Sequence, residues 1–295
     1  MVNAKSIAQA AARIAPHLHD TPVFTSQYYN KKYRAQFYFK AENLQKTGSF
    51  KPRGAINAVW QLDPAKAAKG VATHSSGNHG QALAWAARQR GLPAYVVMPE
   101  NAPQVKVRAI KSYAAEVIFC KANLAAREET LSQVIKASGA TFIPPYNYEA
   151  TVAGQATVAR ELLEVQPQLD MLLAPVGGGG LLAGTALSAF FHDGQPAVYG
   201  CEPAAADDAR QSLEAGKLIP VQHPITKADG LRTSLGPIPF AYIERHVPRI
   251  FTCSEEGIGQ AMRSIWERMK LVIEPSAAVP LACVAEAPHS LKINR

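Results

Sequence analysis

The sequence has few cysteines and lacks long hydrophobic runs. No stretch of about 18 apolar residues without charge occurs, which argues against a membrane-spanning helix. The four cysteines (Cys120, Cys201, Cys253 and Cys283) form no CxxC pair, and each lies in an apolar stretch. They are therefore predicted to be buried thiols in a reducing cytosol, and not disulfide partners or zinc ligands. A cytoplasmic location is expected.

Basic residues are scattered along the chain and form no dense run, although the net charge is +8. No basic tract is interleaved with aromatic residues, so no nucleic-acid partner is expected, and the positive surface is predicted to attract anionic metabolites. The first 20 residues also lack the apolar core of a signal peptide. The spacing of Ser6, Ile7, Ala10 and Ile14 predicts an amphipathic helix there.

Helical stretches alternate with short apolar runs from about residue 70 onward. In a first series, the predicted strands are 70–74, 94–99, 116–120 and 141–146, and the predicted helices are 79–91, 104–115 and 125–138. In a second series, a helix near 151–166 precedes strand 171–176, a helix from Leu181 and strand 197–202. This alternation predicts parallel sheets covered on both faces, in two α/β domains that bind a ligand between them at the carboxyl ends of the strands.

A further helix is predicted over residues 255–270, after Pro- and Gly-rich connections around 219–239. Its apolar residues form a single stripe, which consists of Ile258, Met262, Ile265, Trp266 and Met269. A stripe with helical spacing is typical of a buried helix face, so these residues are predicted to belong to the core and not to a site.

The segment PVGGGG (175–180) lies between an apolar strand and the start of a helix. Four consecutive glycines present backbone N–H groups without side chains, and the following helix adds its positive end, so the segment is predicted to bind a phosphate. It has neither the GxxxxGK[ST] spacing of nucleoside-triphosphate loops nor the GxGxxG spacing of dinucleotide folds. The alternative is a flexible linker, which fits poorly between two apolar elements.

The segment SSGNHG (75–80) also lies between a strand and a helix. Ser, Gly and Asn at a helix N-terminus offer donors that suit a carboxylate or a second anion. A simple helix cap explains the same residues equally well. His79 alone is more typical of a first-turn helix residue than of a catalytic base.

The segment KTGSFKPRGA (46–55) places Lys51 between Phe50 and Pro52. A lysine near apolar groups and other cations can lose its proton readily enough to attack an aldehyde. Spacing alone does not distinguish such a nucleophile from a solvated lysine.

Together and in this order, QKTGSFKPRGA, SSGNHGQA and PVGGGGLLAG resemble the serine/threonine dehydratase and serine racemase family of pyridoxal-phosphate enzymes. The resemblance continues through CEPAAADD (201–208), ADG (228–230) and WERMKLVIEPSA (266–277), and it is strongest to the serine racemases. It implies an α/β protein of the tryptophan-synthase-β-like fold (fold type II) with two parallel-sheet domains. A large cofactor-binding domain would comprise residues 1–68 and 148–295, and a small domain, 69–147, would carry the SSGNHG loop.

The resemblance also implies a role for each matching residue. Lys51 would bind pyridoxal 5'-phosphate covalently, and Ser76 would stand on the other face of the cofactor ring as a second catalytic residue. The further cofactor contacts would be Phe50, Asn78, Gly177, Gly178, Gly179, Gly180 and Leu181. The substrate carboxylate would bind to Ser75, Asn78 and His79.

A divalent cation (Mg²⁺, Mn²⁺ or Ca²⁺) is the second cofactor that the resemblance implies. Glu202, the carbonyl of Ala206 and Asp208 match the metal site of the racemases, and such cations prefer oxygen ligands. The alternative is a capped helix start with acidic first-turn residues.

The function implied by the resemblance is dehydration of small 3-hydroxy amino acids such as serine, threonine or threo-3-hydroxyaspartate, racemisation of them, or both. Dehydration would give a 2-keto acid and ammonia, and a proton returned by Ser76 would give the other enantiomer. A homodimer is implied in the same way. An O-acetylserine or cystathionine-type synthase of the same fold is a weaker match, because its lysine and asparagine loops usually differ from SFKPRGA and SSGNHG.

The closing residues depart from the family pattern. The family continues past EPSA to a Ser-Gly-Gly-Asn turn whose serine faces the cofactor nitrogen, and this sequence has no such turn. Ser290 lies too early to replace that serine, and EAPHSLKINR suggests a truncated or frame-shifted gene. Loss of a last strand and helix would expose a sheet edge and part of the core. Two hypotheses therefore stand, a working enzyme and a catalytically weak or inactive homologue that binds cofactor without turnover.

Overall fold

The computed structural model describes residues 1–221 and 224–287. The strands are β1 (Val23–Thr25), β2 (Tyr38–Lys40), β3 (Val71–Thr73), β4 (Ala94–Pro99), β5 (Glu116–Cys120), β6 (Thr141–Phe142), β7 (Met171–Pro175), β8 (Ala197–Pro203) and β9 (Ile250–Cys253). The helices are α1 (Ala4–Ile14), α2 (Gln27–Tyr33), α3 (Lys51–Trp60), α4 (Pro64–Ala67), α5 (Asn78–Arg90), α6 (Gln104–Lys111), α7 (Leu124–Ser138), α8 (Glu149–Val165), α9 (Gly180–Phe190), α10 (Asp208–Ala215), α11 (Pro237–His246), α12 (Glu255–Met269) and α13 (Pro275–Glu286). Short 3-10 turns occur at Glu42–Leu44, Lys46–Gly48, Ala204–Ala206 and Asp229–Leu231.

The chain divides into two compact units. Unit 1 comprises residues 1–19 and 45–155, and unit 2 comprises residues 20–44 and 156–295. The division inferred from the resemblance (1–68 with 148–295, and 69–147) cuts the chain differently and stays a prediction.

Unit 1 contains a parallel sheet with the strand order β5-β4-β3-β6. Every residue of β3 is buried, as expected for a strand that helices cover on both faces. On one face, Val71 and Val96 join a cluster with α3 and α5, and on the other, Ala72 and Val97 pack against α7 through Leu131. The sheet therefore holds the segments that follow β3 and β6 on a rigid base.

Unit 2 contains the parallel sheet β7-β8-β9 and the antiparallel pair β1-β2. Helices α12 and α13 pack over the parallel sheet, and buried Ile258, Val279 and Phe251 lie in their shared core. The glycine segment follows β7 directly and leads into α9. This arrangement fixes the glycines at the carboxyl end of a strand whose residues alternate between half-buried and buried.

The sequence predicted most of these elements, with two corrections. Trp266 was expected in the core, but its side chain is 62% exposed, whereas Ile258 and Ile265 of the same predicted stripe are buried as expected. The strand predicted over 141–146 ends at Phe142, because Pro144 and Pro145 have no N–H with which to continue the ladder. The closing residues 288–295, including Ser290, lie outside the described part of the chain.

The cysteines are buried thiols, as the sequence predicted. All four cysteines are free and buried. Although Cys201, Cys253 and Cys283 are remote in sequence, the Cys283 thiol lies within hydrogen-bonding reach of the other two.

Among the described residues, no helix is long and apolar enough to span a membrane.

Candidate active site

Lys51 is the first residue of α3, and the chain reaches it through a tight turn. Thr47 and Gly48 both have positive φ values, of 59° and 73°. The side chain of Lys51 is half-buried, its Nζ donates to the Pro145 carbonyl at 3.1 Å, and it lies 5.1 Å from the centre of the Phe50 ring. The predicted nucleophile is thus held by a fixed acceptor and lies beside an aromatic face.

The loop that carries Ser75, Ser76 and Asn78 folds back onto the start of α5. Gly80 packs so closely against the Ser75 carbonyl that a Cβ there would overlap it. Gln81 N donates to the Gly77 carbonyl at 3.2 Å, and the backbone N–H groups of the first helical turn before it point out of the helix start. The positive end of α5 and these N–H groups suit a carboxylate.

His79 is buried, and its imidazole is neutral. Its Nε2 lies 2.9 Å from the Ile143 carbonyl, and burial, aided by the charge of Lys51, lowers the pKa of His79 to about 3. Because a carbonyl only accepts, the proton of the neutral ring must be on Nε2, which leaves Nδ1 as an acceptor. Nδ1 has no hydrogen-bond partner among the described residues. The imidazole is therefore not a donor for a carboxylate, and a role of His79 in carboxylate binding falls to its backbone N–H.

The glycine loop (177–180) lies between β7 and α9 in unit 2. Gly179 precedes the first residue of α9 and has φ 86°, a conformation that favours glycine. A Cβ at Gly177 would lie 3.1 Å from Leu231 Cα, and a Cβ at Gly179 would lie 2.8 Å from Pro239 Cβ. One side of the loop is thus packed against Leu231 and Pro239. The first N–H groups of α9 point out of the helix start, an arrangement that suits a phosphate. Leu181 follows in the first turn of α9.

Glu202, Ala206 and Asp208 come together around the start of α10. Both Glu202 and Asp208 are buried, and Glu202 accepts from Ala209 N at 3.2 Å and from Arg210 N at 2.9 Å. This is the helix-capping arrangement that was the alternative to a metal site. Burial raises the pKa of Glu202 well above its usual range and that of Asp208 to about 6.

One observation at this position favours a cation. Asp208 Oδ1 is buried and, among the described residues, has no hydrogen-bond partner, whereas Oδ2 accepts from Leu235 N at 2.8 Å. A buried carboxylate oxygen without a partner suits a cation ligand. Within the described residues, no group of three or more His, Cys, Asp or Glu side chains is arranged to hold a metal ion. The set would therefore need the Ala206 carbonyl and water.

Several residues around the site carry no signal in the sequence that predicts a role for them. The Ile143 and Pro145 carbonyls hold His79 and Lys51, and the segment 228–239 packs beneath the glycine loop. The ADG match (228–230) lies in that segment, and the EPSA match (274–277) contacts it through Ser276. These contacts join residues far apart in sequence, so residue spacing does not predict them. Each unit thus assembles part of the predicted set, with Lys51 and Ser75–His79 in unit 1 and the glycine loop and the acidic pair in unit 2.

Comparison with known proteins identifies the family. A beta-hydroxyaspartate dehydratase from Paracoccus denitrificans is 45% identical over 286 residues, which are 97% of this chain and 91% of that protein. The structure is similar to that of serine racemase from Dictyostelium discoideum, with 44% identity, a TM-score of 0.94 and coverage of 99% of this chain and 94% of that one. For threonine deaminase from T.th. the identity is 40%, the TM-score 0.94 and the coverage 98% and 94%.

These likenesses confirm the fold predicted from the sequence, that of the fold type II enzymes with parallel sheets. The family model described as "Pyridoxal-phosphate dependent enzyme" matches residues 14–295. The match includes the lysine turn, the SSGNHG loop and the glycine loop. This chain belongs to the family of pyridoxal-phosphate dependent enzymes.

Proposed function

We propose that this enzyme dehydrates small 3-hydroxy amino acids to a 2-keto acid and ammonia. The observation that carries the proposal is the anchoring of Lys51 and of the first turn of α5 on one segment, through the Pro145 and Ile143 carbonyls. The names of similar proteins support the reaction class, since they include a beta-hydroxyaspartate dehydratase and a threonine deaminase. Serine, threonine and threo-3-hydroxyaspartate are the proposed substrates.

The three segments singled out in the sequence would supply the residues that hold the cofactor. Lys51 would bind it covalently, with Phe50 and Asn78 beside the ring, while Gly177–Gly180 and Leu181 would bind its phosphate. Bound pyridoxal phosphate supplies an electron sink for the pair left at Cα when that carbon loses its proton. The Lys51 amine, once the substrate amine has displaced it from the cofactor, would take this proton, and the Pro145 carbonyl would orient it for the transfer.

The start of α5 would bind the substrate carboxylate. Ser75 and Asn78 contribute polar groups at the positive end of the helix, and His79 contributes its backbone N–H. Because the His79 imidazole stays neutral, it adds no second positive charge beside Lys51. The Lys51 amine can therefore gain a proton without repulsion from a charged imidazole.

We propose racemisation as a second activity of the same site. It rests on Ser76, which adjoins the carboxylate-binding residues and is half-buried. A hydroxyl on the face opposite Lys51 can return a proton to Cα from that side, which inverts the configuration. The similarity to a serine racemase supports this proposal.

We also propose a divalent cation at Glu202, the Ala206 carbonyl and Asp208, supported by the unpartnered Asp208 Oδ1. The cation would be Mg²⁺, Mn²⁺ or Ca²⁺, and it would neutralise two buried carboxylates. A homodimer and a cytoplasmic location are proposed in addition. The free, buried thiols support the location, because they fit a reducing compartment.

The test is an assay of purified protein with pyridoxal phosphate and Mg²⁺ against the three substrates, with detection of keto acid, ammonia and D-amino acid. We expect keto acid and ammonia from the wild type and neither from Lys51→Ala, while Lys66→Ala, an exposed lysine, behaves as the wild type. Cofactor binding without turnover would instead favour the inactive homologue. Activity retained in Lys51→Ala would remove this lysine from its assigned role.

A further inference from the structure

The glycine loop rests on one stretch of chain, the support segment (228–239). Gly236 N donates to the Gly178 carbonyl at 3.3 Å. At Gly177, the space for a Cβ is closed by Leu231 Cα at 3.1 Å and by the Gly230 carbonyl at 3.2 Å. At Gly179, the same space is closed by Leu235 and Pro239. Three successive glycines of the loop therefore contact the support segment.

Two side chains from outside this stretch hold the support segment in place. Gly230 N donates to Ser276 Oγ at 3.2 Å, and Leu235 N donates to Asp208 Oδ2 at 2.8 Å. Ser276 lies in the first turn of α13 and Asp208 in the first turn of α10. Ser276 is 5% exposed and Asp208 is 2% exposed, so water does not readily replace either acceptor.

Each of the two hydrogen bonds holds a residue that packs against a different glycine of the loop. Ser276 binds Gly230, which packs against Gly177, and Asp208 binds Leu235, which packs against Gly179. A shift of either support residue therefore moves loop backbone. Because a hydrogen bond weakens steeply with distance and angle, small shifts of the loop N–H groups reduce their interaction with a bound phosphate.

We propose that Ser276 and Asp208 are positioning residues that set the affinity of the glycine loop for the cofactor phosphate. They act through the Gly230 and Leu235 N–H groups and touch neither cofactor nor substrate. This inference rests on the proposed cofactor role of the glycine loop. It gives Asp208 a second role, which is independent of any cation.

The first experiment compares Ser276→Ala with Ser276→Thr in full-length protein stripped of cofactor, in the presence of a chelator. Titration with pyridoxal phosphate and with pyridoxal, which has the aldehyde but no phosphate, gives two dissociation constants. Loss of one buried acceptor should weaken pyridoxal phosphate binding by about three- to tenfold in Ser276→Ala. Pyridoxal binding should stay unchanged, and Ser276→Thr, which keeps the hydroxyl, should bind both as the wild type does.

The second experiment separates the two roles of Asp208. Asp208→Asn keeps an oxygen that accepts from Leu235 N, whereas Asp208→Ala loses it. With the chelator present, Asp208→Ala should weaken pyridoxal phosphate binding by about three- to tenfold and Asp208→Asn should not. This pair also serves if Ser276→Ala fails to fold, and the melting temperature of each stripped protein shows whether it folds.

The outcomes separate this inference from the proposed function. If the wild type binds no pyridoxal phosphate, the proposed function fails and this inference fails with it. If the wild type binds the cofactor and both alanine variants bind it equally well, this inference alone is wrong. Equal losses for pyridoxal and pyridoxal phosphate would also overturn it, since the effect would then not pass through the phosphate.

Discussion

Lys51 and His79 are anchored to carbonyls only two residues apart, those of Pro145 and Ile143. The segment between these carbonyls contains Pro144 and Pro145, whose fixed φ angles stiffen the backbone. The lysine amine and the neutral imidazole therefore share one rigid support. The Nε2–H of His79 donates to the Ile143 carbonyl, so the imidazole has only Nδ1, an acceptor, for other contacts.

The first prediction concerns this hydrogen bond of His79. His79→Gln keeps an N–H donor for the Ile143 carbonyl and should leave KM within about threefold of the wild type, because the proposed carboxylate contact is made by the backbone N–H, which the substitution keeps. His79→Leu leaves the carbonyl unpaired and should lower the free energy of unfolding by about 1–3 kcal/mol. KM and denaturant unfolding are the measurements. A KM increase of tenfold or more in His79→Gln would show that the imidazole itself binds the carboxylate.

The second prediction is a pH dependence of stability. The pKa of His79 is about 3 in the folded protein against 6.5 in the unfolded chain, so only the unfolded state gains this proton as pH falls below 6.5. Stability is therefore lost between pH 6.5 and 3, by up to about 5 kcal/mol in total.

His79→Gln isolates this contribution, because Asp208 and Glu202 titrate with the opposite sign and are present in both proteins. The free energy of unfolding is measured by denaturant titration from pH 8 downward. As pH falls below 6.5, the wild type should lose stability relative to His79→Gln. A difference that stays constant below pH 6.5 would contradict the assigned neutral state.

The sequence predicted the alternating elements and the three site segments because local patterns determine them. The glycines of 177–180 and the cap at Gly91, with φ 70°, can be read from residue type alone. Trp266 could not be placed correctly, since helical spacing shows that a stripe exists but not how much of it a neighbour covers. The contacts of Ser276 with Gly230 and of Asp208 with Leu235 join residues 46 and 27 positions apart, and no local pattern encodes them.

The third prediction separates the two activities of the site. Ser76→Ala removes the hydroxyl that we propose returns a proton from the second face, so D-serine formation should fall by about 100-fold or more while keto acid formation stays within about tenfold. Chiral analysis of the products with L-serine as substrate measures both. Ser75→Ala is the matched control, and it should raise KM for both reactions equally. If Ser76→Ala lowers both rates in parallel, Ser76 is not a face-specific proton donor.

The fourth prediction tests the proposed cation site. At a cation concentration about 100 times its Kd, binding stabilises the folded protein by about 2.7 kcal/mol, which corresponds to a rise of about 5 °C in melting temperature. The wild type should show this rise when Mg²⁺, Mn²⁺ or Ca²⁺ replaces the chelator. Asp208→Asn and Glu202→Gln should not. Asp207→Asn, whose carboxylate instead pairs with Arg210, should respond as the wild type does. Equal shifts in all four proteins would place the cation elsewhere.

The fifth prediction concerns the backbone of the glycine loop. Gly179 has φ 86° and no room for a Cβ, so Gly179→Ala should cost about 1–3 kcal/mol of stability and weaken pyridoxal phosphate binding. Gly177→Ala meets its nearest neighbour at 3.1 Å without a positive φ and should have a smaller effect. Gly259 lies in α12 with nothing within 4 Å of its Cβ position, so Gly259→Ala should stabilise the helix by about 0.5–1 kcal/mol. Thermal melting and cofactor titration of the three variants test this order, and a Gly179→Ala protein as stable as Gly259→Ala would show that the loop is not held by its support segment.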